Sequence, residues 1–165
     1  MKVSAHARMV HATATSDPKP RRILAIDYGR KKIGLALSDE LGLTSQPLMI
    51  LVRTNRQLDL RRLREICHQY AVTYLIVGYP LHITGEAGEM AHESSRFAER
   101  LNKHLGIPTE LVDERLTTWE AKQAMLAAGS SRQKHGSLDD VAAAILLRDY
   151  LQKKCGPADI PARRD

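Results

Sequence analysis

The sequence predicts an α/β fold: a five-stranded mixed sheet in which three antiparallel strands are followed by parallel strands reached through helical crossovers, with helices on both faces. Three observations carry this. Residues 23–26 and 74–78 are continuous apolar runs, the pattern of strands buried on both faces. Residues 23–39 read as two apolar strands joined by a basic turn containing Arg30, Lys31 and Lys32. The period then changes over residues 57–70, where Leu60, Leu63, Ile66, Cys67 and Tyr70 recur at helical spacing.

The elements follow in order. Residues 1–20, rich in Ala, Thr, Ser and His and closed by Asp17-Pro18-Lys19-Pro20, are expected to be a disordered extension. His6 and His11 within it are read as solvent-exposed bystanders rather than metal ligands. After the first hairpin, residues 39–42 make a turn, and residues 47–52 form a third strand. The helix over 57–70 packs by its apolar face and carries Arg61, Arg62, Arg64 and Glu65 on the other. Residues 74–78 form the fourth strand, which Pro80 ends. The segment from His82 to Gly88 is expected to be a mobile loop at the carboxyl end of that strand, where open α/β sheets bind ligands.

A second helix spans 89–104, with Phe97, Leu101 and Leu105 aligned, and stops at Gly106. Residues 109–112 form the fifth strand and deliver Asp113, Glu114 and Arg115 at its end. Thr117 to Glu120 has capping-box spacing and predicts a helix to about residue 128. Residues 130–136 read as a flexible basic loop carrying Arg132 and Lys134. The last helix begins at Ser137 and turns Val141, Ala144, Ile145 and Leu151 inward, while residues 155–165 form a flexible tail. Residues 21–154 are thus one domain.

Bulk properties narrow the function. Lys and Arg number 25 against 19 Asp and Glu, a formal charge of +6 that favours an anionic partner such as nucleic acid. Besides Trp119 the aromatics are Phe97 and five tyrosines, too few for base stacking to dominate recognition. Cys67 and Cys155 fit neither a metal-ligand nor a redox spacing. No apolar stretch is long enough to span a bilayer or serve as a signal peptide, so a cytoplasmic location is expected, with no membrane partner.

Three acidic clusters stand out by their place in this order: Asp27 near the end of the first strand, Asp113 and Glu114 at the end of the fifth, and Asp139 and Asp140 opening the last helix. The ends of strands one, four and five face one edge. Carboxylates gathered there repel one another unless divalent cations sit between them, and magnesium is held by one or two carboxylates plus phosphate oxygens and water. Two ions about 4 Å apart would activate a water and stabilise the leaving oxygen in phosphodiester hydrolysis. Each acid also has a plain structural reading. Asp27 could initiate a turn, Asp113 and Glu114 could pair with Arg115, Asp139 could answer the helix dipole, and Asp140 is read as completing a capping box from Ser137. Adjacent residues of a strand point to opposite faces, so one of Asp113 and Glu114 reaches the ions, and Glu114 is preferred. Arg30, Lys31, Lys32, Arg115, Arg132 and Lys134 flank the acids and would hold phosphates on either side of the cut bond. Gly29, free to take a positive φ or to admit a phosphate, and Gly34 would allow close approach to substrate.

The segments Ile26-Asp27-Tyr28-Gly29 with Lys32-Ile33-Gly34, Ile76-Val77-Gly78-Tyr79-Pro80-Leu81, Asp113-Glu114-Arg115-Leu116-Thr117-Thr118, and Leu138-Asp139 followed by residues 142–147 resemble the YqgF or RuvX family. Members are described as pre-16S rRNA nucleases related to Holliday-junction resolvases. The resemblance implies an RNase H-like fold, Mg2+ or Mn2+ as cofactor, catalytic and metal-binding roles for Asp27, Glu114 and Asp139, and endonucleolytic maturation of the 5′ end of 16S rRNA. It departs from the resolvase relatives at Gly78-Tyr79-Pro80, which lacks the acid those enzymes carry on the fourth strand. The alternatives are a resolvase of branched DNA, a nucleotide-binding domain of the actin and sugar-kinase group, and a non-catalytic RNA-binding factor of ribosome assembly.

Overall fold

A computed structural model describes residues 22–116 and 138–154. The strands are β1 (Ile23–Tyr28), β2 (Lys32–Ser38), β3 (Ser45–Val52), β4 (Tyr74–Tyr79) and β5 (Thr109–Asp113). The helices are α1 (Arg56–Gln69), α2 (Glu89–Leu105) and α3 (Leu138–Lys154), and a 3-10 turn (Glu114–Leu116) follows β5. The expected tails, the helix at 117–128 and the basic loop at 130–136 lie outside the described residues.

The sheet order is β3-β2-β1-β4-β5. β1 pairs antiparallel with β2 and parallel with β4, and β4 pairs parallel with β5, so the mixed α/β sheet is the one the sequence predicts. β1 sits at the centre because its alternating residues feed two separate cores. Leu24 and Ile26 point into a layer with Leu35, Leu63, Leu75, Val77, Phe97 and Leu101 under α1 and α2. Ile23 and Ala25 point the other way, where Ala36 and Ile76 meet Ala143, Ala144 and Leu147 of α3. Alanines on both sides of that second interface let α3 lie close to the sheet. Five successive residues of α3, from Ala143 to Leu147, are buried, as expected for a helix covered on most sides.

Local chemistry fixes the ends of the elements. The turn after β2 is closed by Asp39, whose Oδ1 accepts the backbone N–H of Leu43 and Thr44 at 2.6 and 2.9 Å, with Gly42 at φ 68°. Asn55 caps α1 by accepting Leu58 N–H at 2.9 Å. α2 ends at Gly106 in the left-handed region, φ 66°, where a residue with a Cβ would be strained. The loop between β4 and α2 folds back on itself: Leu81 bridges Ala87, and His82 N–H donates to Glu86 O at 3.0 Å. Among the described residues no helix is long and apolar enough to cross a membrane.

Candidate active site

Asp27 is the penultimate residue of β1, half-buried, and faces the α3 side of the sheet with Ile23 and Ala25. In register it stands opposite Gly34 of β2. On its other flank the parallel ladder pairs Ile26 with Val77, so one step further Asp27 lies beside Gly78. By the period-2 alternation of strands, Gly34 and Gly78 face the same side as Asp27. The carboxylate therefore stands between two residues that have no side chains, in a row of three strands each about 4.8 Å from the next.

Glu114 completes this edge. β5 ends at Asp113, paired with Tyr79, and the chain tightens into the 3-10 turn at Glu114. The turn lays the Glu114 carboxylate over Gly78: a Cβ built on Gly78 would collide with Oε1 and come within 3.0 Å of Cδ. A glycine on β4 thus makes room for an acid delivered from β5, one strand spacing from Asp27. At Gly78-Tyr79-Pro80, where the sequence departs from the resolvase pattern, β4 carries a glycine and the acid lying over it comes from the turn after β5. This packing is what the sequence does not reveal about Gly78, although a glycine closing an otherwise branched apolar run is a visible signal of close approach.

The neighbouring acid is engaged elsewhere. Arg115 sets Nε 3.1 Å from both oxygens of Asp113 and Nη2 2.7 Å from Oδ2, and its backbone N–H donates to Oδ1 at 2.9 Å. The guanidinium and these hydrogen bonds hold the Asp113 carboxyl below its ordinary range. Arg115 also lies against Gly85, where a Cβ would meet its Nη1 at 3.3 Å, so it ties the end of β5 to the loop after β4.

The remaining expected residues are placed variously. Asp139 lies in the first turn of α3, and its side chain, like that of Asp140, lies outside the described residues. Arg132 and Lys134 lie outside them too. Arg30, in the β1–β2 turn, reaches α2, where Nη2 sits 2.8 Å from Glu93 Oε1 and 3.1 Å from Glu89 Oε2. Its charge is balanced within the protein, and it holds the Glu93 carboxyl low. Lys31 and Lys32 are exposed at the same turn. Gly29 does not take the positive φ considered from sequence; it is required because a Cβ there would come within 2.5 Å of the Lys32 carbonyl oxygen, which folds over it as the hairpin closes. Among the described residues no three His, Cys, Asp or Glu side chains are grouped to hold a metal ion. Asp27 on β1 and Glu114, whose carboxylate lies over Gly78 of the neighbouring strand β4, stand at the same edge of the sheet.

Comparison with known proteins gives a consistent result. A family model described as "RuvX: Holliday junction resolvase" matches residues 21–153. A protein of Carboxydothermus hydrogenoformans named "Putative pre-16S rRNA nuclease" is 42% identical over 134 residues, covering 81% of this chain and 97% of that one. One of Geobacillus kaustophilus with the same name is 43% identical over 136 residues, covering 81% and 99%. Among solved structures, Thermus thermophilus RuvC in complex with Holliday junction substrate matches with a TM-score of 0.54 at 14% identity, covering 82% of this chain and 97% of that one. A fowlpox virus resolvase in complex with Holliday junction DNA matches with a TM-score of 0.51 at 15% identity, covering 81% and 99%. The structural matches show the resolvase-type, RNase H-like fold.

Proposed function

The chain belongs to the RuvX family, and from that premise we propose that it is a nuclease that hydrolyses phosphodiester bonds of precursor 16S rRNA at the carboxylate edge formed by Asp27 and Glu114. One observation carries this: the Glu114 carboxylate occupies the space that Gly78 leaves beside Asp27. The donor chemistry fits a hard divalent cation, which takes oxygen ligands and is commonly held by one or two carboxylates with the rest supplied by phosphate and water. Asp27 and Glu114, joined by Asp139 from α3, would hold Mg2+ or Mn2+, two ions in our reading. Bound there, the metal supplies an activated water and stabilisation of the leaving oxygen.

The protein's own contribution is placement. Asp27 sits on the central strand; Gly34 on one flank carries no side chain, and Gly78 on the other makes room for the Glu114 carboxylate, so that both acids can face a phosphate. Lys31 and Lys32 add positive charge at the adjacent turn and draw a polyanion toward that edge. Arg30 and Arg115, both in ion pairs, act in this reading by fixing the turn and the end of β5, with Arg132 and Lys134 as further phosphate contacts. Residues 21–154 form the nuclease domain, and the protein works in the cytoplasm on structured RNA with ribosome-associated factors.

The test uses the full chain on a precursor 16S rRNA fragment and a four-way DNA junction, each with Mg2+, Mn2+ or chelator. We expect metal-dependent cutting of the RNA that falls to background in Asp27→Asn, Glu114→Gln and Asp139→Asn. Cutting of the junction alone would move the substrate to branched DNA. RNA binding without cutting in the wild type would mark a non-catalytic assembly factor.

A further inference from the structure

On the face of the sheet opposite the carboxylates, α1 and α2 bring together four arginines that the nuclease reading leaves unused. Arg96 and Arg100 lie one helical turn apart on α2, to either side of buried Phe97. Arg56 is the first residue of α1, and Arg53 lies three residues before it. Arg53 is satisfied by the protein: Nε meets Asp59 Oδ2 at 3.1 Å, and Nη1 donates to Tyr28 Oη at 2.8 Å and to Gly29 O at 3.1 Å. The other three differ. Among the described residues Arg56, Arg96 and Arg100 enter no ion pair. Arg100 Nε is buried and has no hydrogen-bond partner. Burial, then the positive charges of Arg56, Arg53 and Arg96, push the Arg100 guanidinium below its ordinary pKa. The nearby Glu93 feels Arg96, but its oxygens are taken up by Arg30.

We propose that Arg56, Arg96 and Arg100 form a second phosphate-binding site on the α1–α2 side, which grips the backbone of the polynucleotide cut at the carboxylates. The identity of that polynucleotide rests on the nuclease reading. Three cations sharing one patch repel each other, and anionic phosphates at the exposed guanidinium groups of Arg56 and Arg96 relieve the repulsion. An extended backbone fits better than a free phosphate for two reasons. Arg56 and Arg96 are exposed and stand on two different helices, α1 and α2. In addition, Arg53 contacts the carbonyl of Gly29, two residues beyond Asp27, so positive residues run from the carboxylate edge through Lys31 and Lys32 to α1 and α2.

The test measures binding apart from cutting. Labelled RNA hairpins are titrated by anisotropy against the full chain carrying Asp27→Asn, with and without Arg56→Ala and Arg96→Ala, across a series of salt concentrations. The double substitution should weaken binding about tenfold at low salt and reduce the slope of log affinity against log salt by roughly 1.5, about 0.7 to 0.9 for each phosphate no longer neutralised. Arg100→Gln should deepen the effect, and should that variant fail to fold, the two exposed positions still decide the matter. Affinity and slope unchanged in the double variant would overturn the site. Displacement of the RNA by inorganic phosphate or a mononucleotide at concentrations matched in phosphate would make it a small-anion site instead and also overturn it. Cutting of RNA by the otherwise wild-type chain, with binding indifferent to the arginines, would sink this site alone. Arginine-dependent RNA binding with no cutting by the wild type would sink the nuclease reading alone.

Discussion

At the scale of single residues, the site turns on a glycine. Gly78 is read from sequence as the end of an apolar strand, and nothing local tells that a carboxylate from a residue thirty-six positions later fills its missing side chain. Gly78→Ala leaves the strand's own geometry acceptable but forces Glu114 off the sheet. The expected result is loss of most metal-dependent cutting with a folded protein, checked by cleavage rate beside far-UV circular dichroism. A second residue tests the core without touching the site. Cys67 is 4% exposed on the inner face of α1, and burial pushes its thiol up to about 11. Alkylation of the native protein at neutral pH should be slow at this position and become fast in denaturant, because the thiolate is the reactive form.

At the scale of elements, α1 and the β1–β2 hairpin show where local signals sufficed and where they did not. The helical period of Leu60, Leu63 and Cys67 was legible, since an apolar stripe needs only its own sequence to declare itself. The buried Asp59 was not, because its partners come from the preceding loop: Arg53 Nε at 3.1 Å and the Thr54 N–H at 3.1 Å. Arg30 likewise reads as a phosphate contact when the hairpin is considered alone. Its carboxylates lie some sixty residues away on α2, a tertiary pairing no local pattern carries. Asn55→Ala removes the cap of α1 and should cost about 1 kcal/mol in denaturant unfolding. Asp59→Ala should cost more, roughly 3 kcal/mol, by leaving the half-buried Arg53 guanidinium without its carboxylate.

At the scale of the whole molecule, the topology was legible because β1 and β4 announce themselves as two-sided strands and the helices between them as crossovers. The gathering of the ends of β1, β4 and β5 at one edge followed from that topology; strand alternation alone, on which the preference for Glu114 over Asp113 rested, gives way at this point to the 3-10 turn, which lays Glu114 over Gly78. Charge balance across the fold also sets its acid limit. The carboxyls of Asp39, Glu93 and Asp113 are all held below their ordinary values, by backbone N–H groups of the turn, by Arg30 and by Arg115 respectively. Their stabilising contribution is complete above the ordinary carboxylate pKa, about 4, and is lost as pH falls through the lowered values. The thermal midpoint should therefore hold steady from neutral pH to about 5 and drop below about 4, and Asp39→Asn should make that drop shallower.

The most direct measurement compares Glu114→Gln with Asp113→Asn in metal-dependent RNA cleavage under identical conditions. The Glu114 carboxylate lies over Gly78 beside Asp27, whereas Asp113 is bound to Arg115. Cutting should fall to background in Glu114→Gln and persist within a few-fold in Asp113→Asn. Retained cutting in the first variant with loss in the second would contradict the assignment of the site.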